Sequence, residues 1–392
     1  MSGYTLALIG GLVYTSPNEP PLRDATVLIL DGRIAAVGHG VRVPQGVRAI
    51  NCAGLTVTSG FWNSHVHFME RKWAKAGEIP ADELTRQLQD MLTRWGFTSA
   101  FDLSSPWENT RKLRERIESD EVAGPRILST GLGLLPANSG LPGDAVMSII
   151  GWMPAARTEI GDEAQASAAV KKLLADGVDG IKLFASSPSK ASLSESVMRA
   201  AVEEAHGAKK PVFVHPDSAA NVQAAVRAGV DVIAHTTPVS GPWDAALLAE
   251  MKQHGVALIP TLQVFQFNYR HDRRSTQDRL AEVSTGQLRA WIAQGGTVLF
   301  GTDLGYVDYD PRQEYELMAS AGMGFHEILA SLTTAPAARF GGSGRIETGA
   351  DGDVAVLGSD EVRGFTDVRY TIRRGRVIYS ASAISGKAGG VR

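Results

Sequence analysis

The sequence predicts an α/β protein: a (β/α)8 barrel of the TIM type over residues 57–343, with a small β-sandwich built from 1–56 and 344–392. Three observations carry this reading. Apolar strand-like runs alternate with helical stretches through the middle of the chain. Both ends carry short strands and turns without a helix. Histidines, one lysine and one aspartate recur at or near the ends of the central strands.

The first end supplies Thr5-Leu6-Ala7-Leu8-Ile9 before Gly10-Gly11, then Ala25–Leu30. The latter runs into Asp31-Gly32, a strong hairpin turn, and returns as Arg33–Gly38. The far end has the same texture in Asp353–Leu357, Val368–Ile372 and Arg373–Tyr379. Strands from the two ends are therefore expected to share one unit. The tail beyond about residue 383 is small and polar, as frayed ends are.

In the centre, eight strands are expected: 57–67, 98–102, 126–130, 180–184, 212–215, 230–235, 256–261 and 297–303. Helical segments lie between them, among them Glu83–Trp95, Glu163–Asp176, Glu195–Ala208 and Ala219–Ala228. Gly96, Gly177, Gly229, Gly255 and Gly295 stand where helices end, because glycine adopts the left-handed cap without penalty. A doubly wound open sheet fits less well, since no glycine-rich phosphate loop follows the first strand.

Composition narrows the function. With 44% hydrophobic and 21% charged residues, the 392-residue chain is of ordinary globular type. A net charge of -3 gives no electrostatic case for nucleic acid or an anionic membrane, and leaves a small-molecule substrate as the expected partner. No apolar run approaches the roughly 18 residues of a membrane span. Met1–Thr5 lacks the basic start and hydrophobic core of a leader. The single Cys52 cannot form an internal disulfide and reads as a buried filler in a reducing, cytoplasmic setting. Barrels of this kind often form homo-oligomers, but the sequence fixes no symmetry.

The chemistry starts at Phe61-Trp62-Asn63-Ser64-His65-Val66-His67-Phe68. On a strand, side chains alternate, so His65 and His67 face the same side and can share a divalent transition metal. Lys182 lies in strand four, His215 ends strand five, His235 ends strand six and Asp303 ends strand eight. A lone strand-end histidine is commonly a hydrogen-bonded structural residue. Six metal-capable groups on the active face of one barrel are a different matter. His39, His206, His254 and His326 fall elsewhere and read as surface or capping residues. Imidazoles with an oxygen ligand favour zinc, with manganese, cobalt or iron as alternatives. A buried lysine beside metal ions loses its proton, and the neutral amine can take up carbon dioxide to become a bridging carbamate, N6-carboxylysine. Two bridged metals polarise a scissile carbonyl and supply hydroxide at neutral pH, with Asp303 as proton carrier.

These motifs resemble the amidohydrolase superfamily, in its imidazolonepropionase-like and prolidase-like branch. The resemblance spans nearly the whole chain: Ser59–His67, Asp179–Lys182, Val214-His215, Ile233–His235, Gly301–Asp303, Thr333–Ala337 and Gly349–Val354. It implies that His65, His67 and Asp303 bind the more buried of two metal ions. It likewise implies that His215 and His235 bind the second and that carboxylated Lys182 bridges them. Relatives with a single metal usually lack a lysine on this strand. Two departures stand out: Asn63 replaces an aspartate before the histidine pair, and Thr236 replaces a glycine after His235.

Substrate choice lies in the loops after the strands. The stretch 131–160 is long and rich in glycine and proline, and is either an apolar lid or a packed surface loop. Tyr269, Arg270 and His271 are candidate substrate-binding residues, able to pair with a carboxylate. The expected reaction is hydrolysis of the amide of an N-acyl amino acid, a dipeptide or an aromatic amide. Cyclic amide or lactone hydrolysis, or deamination, at the same centre is the alternative.

Overall fold

The computed structural model describes residues 4–139, 158–187 and 191–381. The first end of the chain forms β1 (Leu6–Val13), β2 (Leu22–Leu30), β3 (Arg33–Gly38), β4 (Ala49–Asn51) and β5 (Thr56–Ser59). In the centre follow β6 (Phe61–Val66), β7 (Phe97–Asp102), β8 (Arg126–Ser129), β9 (Leu134–Pro136), β10 (Thr158–Ile160) and β11 (Ile181–Phe184). They continue with β12 (Val212–His215), β13 (Val232–Ala234), β14 (Ala257–Ile259) and β15 (Thr297–Val298). The last three are β16 (Val354–Leu357), β17 (Val368–Arg373) and β18 (Arg376–Ser380).

Strands from both ends hydrogen-bond into one sheet in the order β18-β17-β16-β5-β1-β2-β3, with β4 beside β1. The β2–β3 hairpin turns at Asp31 and Gly32, both at positive φ, as the sequence predicts for Asp-Gly. The inward residues of this sheet, among them Leu8, Val27, Val57, Val356 and Ile372, form one apolar cluster.

The single strand expected over 57–67 is two strands. Thr56–Ser59 pairs antiparallel with Val354–Leu357 in the terminal sheet, whereas Phe61–Val66 pairs parallel with β7. Gly60 is the joint. A Cβ there would lie 2.2 Å from Thr98 Oγ1, so a side chain at this joint would collide with its neighbour.

The central strands are all parallel and lie in two sheets, β6-β7-β8 and β10-β9-β11-β12-β13-β14-β15. The fold is α/β and TIM-barrel-like. The short strands β9 and β10 extend the larger sheet beyond β11, and between β8 and β11 the Asp179 amide reaches the Ser129 carbonyl at 2.7 Å. Across the other seam, Ser64 N–H donates to Phe300 O and Asp303 N–H to His65 O, at 2.7 and 2.8 Å. Trp62, Phe101, Phe213, Val232, Ile259 and Leu299 fill the space inside the strands, and helices pack against their outer face. Helices Glu163–Asp176 and Ala219–Ala228 match their predicted bounds. Each begins at a side-chain cap, Asp162 or Ser218, and ends at a left-handed glycine. Gln263–Asn268, expected to be loop, is a short helix. Of the 131–160 stretch, 140–157 lies outside the described residues. Among the described residues no helix is long and apolar enough to cross a membrane.

Candidate metal centre

The residues singled out from sequence meet at the C-terminal ends of the parallel strands, where side chains from different strands converge on a common opening. His65, His67, Lys182, His215, His235 and Asp303 all line one cavity of about 380 Å3.

Strict strand alternation brings Lys182 and His215 there, since Phe213 packs inside and Ile181, Leu183 and Val214 outside, but not His65 or His235. From Trp62, which packs inside, alternation would send His65 outward. The β6–β7 register breaks between Asn63 and Val66, and both His65 and His67 face the cavity. In β13, Val232 and Ala234 pack inside, so His235 should point out. Its φ of 87° turns it inward. Thr261 at φ 43° and Asp303 at φ 63° end the next strands in the same left-handed region. For a β-branched threonine this conformation is a genuine outlier, and such strain persists where the surroundings impose it. Thr261 uses it to place Oγ1 2.6 Å from His235 Nδ1, which leaves Nε2 of that ring facing the cluster. Gly305, at φ 98°, lies under His67: a Cβ there would come within 2.0 Å of the His67 carbonyl oxygen.

The polar atoms in the cluster crowd without satisfying one another. His65 Nε2 and His67 Nε2 lie 3.2 Å apart, so only one can carry a proton between them. Asp303 Oδ1 is 2.7 Å from His67 Nε2 and 3.3 Å from His65 Nε2, yet it has no aligned hydrogen bond. Lys182 Nζ is fully buried and unpartnered. Burial, then the nearby Lys182 charge, holds His65 well below the usual histidine range. Burial, followed by His215 and Lys182, does the same to His235. Burial pushes the Lys182 ammonium down to about 7, opposed by Asp303. Imidazoles, an aspartate oxygen and a lysine amine whose buried atoms lack hydrogen bonds form a donor set that a divalent cation would satisfy. Ligand atoms of His65, His235 and Asp303 all lie within 4.8 Å of one another.

The supporting contacts explain one departure noted in the sequence. Asn63 Nδ2 donates to Thr302 Oγ1 at 2.7 Å while its Oδ1 accepts from the His65 amide at 3.2 Å. A carboxylate at position 63 could accept but not donate. Behind β14, buried Glu314 accepts from the amides of Leu262 and Gln263, and the Gln263 side chain donates to the Thr302 carbonyl.

Tyr269, Arg270 and His271 stand apart. None is among the described residues lining this cavity. Arg270 borders an adjacent one of about 580 Å3, lies over the Phe267 ring and donates to the Phe267 carbonyl at 2.5 Å. The lining residues that sequence reasoning missed include Phe184, Ser186, Asp217 and Tyr306. Their signal was position alone: each falls within four residues after Lys182, His215 or Asp303.

The fold and this cluster define a TIM-barrel-like α/β protein with a buried histidine–aspartate group able to hold a metal. The chain belongs to the amidohydrolase family, whose model matches residues 56–378. It is accordingly a hydrolase acting on carbon–nitrogen bonds. Ochratoxinase of Aspergillus niger is 24% identical over 76% of this chain and 68% of its own length. A proposed prolidase of Bifidobacterium longum superposes with a TM-score of 0.81 at 23% identity, each chain covered in full. A prolidase crystallised with N-methylphosphonate-L-proline superposes with a TM-score of 0.77 at 26% identity, covering 96% of this chain and 100% of the other.

Proposed function

We propose that this protein is a binuclear metal-dependent amidase that cleaves the amide bond of an N-acyl amino acid, a dipeptide or a related aromatic amide. One observation carries the reading: six potential ligands from five strands face one cavity, with the Lys182 amine and an Asp303 oxygen buried and without a hydrogen bond. The prolidase crystallised with a proline phosphonate, and the ochratoxinase, agree with amide chemistry on an amino-acid-like substrate. In this reading His65, His67 and Asp303 hold one ion, His215 and His235 the other, and Lys182 bridges them as a carbamate, with zinc the natural metal.

Two ions bound there would supply Lewis acidity to the carbonyl and an activated water. The chain's own groups do the rest. Asp303 accepts the proton of the attacking water as the new carbon–oxygen bond forms. It then delivers that proton to the nitrogen as the carbon–nitrogen bond breaks, giving a carboxylic acid and an amine. Met69, Leu135 and Phe184 offer an apolar wall for the acyl or aromatic group, and Tyr306 lines the same cavity. The parallel sheets act as one closed (β/α)8 barrel from Phe61 to about residue 343, and the terminal sheet, Thr56–Ser59 included, as a separate supporting unit. The free, buried Cys52 suits a reducing cytoplasm.

A screen of N-acyl amino acids and dipeptides with metal-replete enzyme, read by release of free amine, tests the reading. Turnover of at least one class, lost on chelation, is expected. Silence on all linear amides with turnover of a lactone, a cyclic amide or an amino-purine would overturn it.

A further inference from the structure

A second carboxylate sits at the cavity, two residues beyond His215. Asp217 Oδ1 lies 3.3 Å from His215 Nε2. Its other oxygen, Oδ2, accepts from Ser186 Oγ, four residues beyond Lys182 on the loop after β11. The Asp217 main chain is pinned too: its amide donates to Asn221 Oδ1 at 3.3 Å, and Ser218 caps the helix that begins immediately after it. The His215 ring is flanked by Phe184, centroids 5.3 Å apart, and by His235 at 4.5 Å. Ring position, carboxylate and serine therefore form one chain linking the loops after β11 and β12.

We infer that Asp217, oriented by Ser186, is a positioning residue for His215, holding its Nε2–H and leaving Nδ1 as the nitrogen offered to a metal ion. The inference rests on the binuclear reading above. An ionised carboxylate only accepts, so the shared proton resides on the imidazole and the tautomer is fixed. A ligand histidine held by a carboxylate is oriented before the metal arrives and is a stronger base. Loss of such a partner typically weakens metal binding about 10- to 100-fold. His235 is held from its other nitrogen, Nδ1, by Thr261, so the two rings are clamped from different sides. Among the described contacts, no carboxylate other than Asp303 touches His65 or His67. The effect of Asp217 therefore falls on the His215 ion alone.

The test titrates apo-protein with Zn2+ against a chromophoric chelator, for wild type, Asp217→Asn, Asp217→Ala and Ser186→Ala, alongside 15N NMR of the histidine tautomers. Expected is a roughly 10- to 100-fold weaker constant for one of two ions in both Asp217 variants, the other unchanged. Ser186→Ala should give a smaller shift in the same direction. His215 should read as the Nε2–H tautomer in wild type and lose that preference in Asp217→Ala. Wild-type constants for both ions in both Asp217 variants would overturn the inference. If wild type holds fewer than two ions, the binuclear reading fails, and the NMR arm decides the Asp217 contact by itself: a mixed His215 tautomer in wild type refutes it.

Discussion

Two buried aspartates flank the histidine strand and live in opposite conditions. Asp102 ends β7 on one side of β6. Asp303 follows β15 on the other. Asp102 accepts from Ser105, Ser129 and Thr110 hydroxyls at 2.5, 2.7 and 3.2 Å. Ser105 in turn accepts from the amide of Phe68, next to His67. Asp303 Oδ1 has crowded imidazoles nearby and no hydrogen bond. Burial costs both carboxyls solvation; three hydroxyls offset part of that cost at Asp102, whose carboxyl burial still pushes up, and no hydroxyl does so at Asp303. A buried acid with its acceptors filled serves the fold. One left open beside histidines and a lysine is held for a ligand.

The largest expected effect breaks this contrast on the active side. Asp303→Asn should lower kcat/KM for the amide substrate by about 10^3-fold or more while most of the metal is retained. Thermal melting should change little, because asparagine keeps the shape of the side chain. Normal turnover would strip Asp303 of its proton-carrying role. Asp102→Ala should do the reverse, leaving three hydroxyls without their acceptor and costing about 3 kcal/mol or more of stability in urea unfolding. An unaffected unfolding midpoint would show that Asp102 is not the structural partner of the pair.

Lys182→Ala comes next. It should lower bound metal, with partial recovery in short carboxylic acids that stand in for the carbamate. Unchanged metal content would remove the bridge.

A third buried acid, Glu314, sharpens the comparison through pH. Burial pushes its carboxyl up to about 8, opposed by the Gln263 and Leu262 amides. The unfolded chain gives up this proton near the ordinary value of 4.5, and the folded chain only near 8. Stability is therefore full below about pH 4.5 and declines as pH rises to about 8, by a few kcal/mol. Asp353, pushed up to about 6 by burial, acts in the same sense over a narrower window. Glu314→Gln should flatten the slope between pH 6 and 8, where Asp353 contributes little. Parallel curves for wild type and variant would contradict it. The smallest effect is expected at Arg270→Ala, whose side chain is engaged with Phe267 at the neighbouring cavity. KM should change by no more than about threefold. A larger rise would bring residues 269–271 into the substrate site.

The alternation of central strands and helices, the hairpin at Asp31-Gly32 and the pairing of the two chain ends were legible because each depends on local pattern. So was the set of six residues that share the cavity, since a strand end is a sequence-level position. How His65 and His235 get there was not. His235 faces inward only through a positive φ, and His65 only through a register break, and neither is encoded by period-two patterning. The division of 57–67 at Gly60 was hidden for the same reason: both halves read as strand, and only the clash with Thr98 shows why a glycine separates them. Asp217 was not legible because the contact that holds its side chain comes from Ser186, 31 residues away.

The central claim is that the cavity holds two metal ions bridged through Lys182. The most direct test is metal content per chain, by elemental analysis of protein purified without chelator and reconstituted with zinc or manganese plus bicarbonate. Close to two ions per chain, with amide turnover lost on chelation, is the expected result. One ion or none after reconstitution would contradict it.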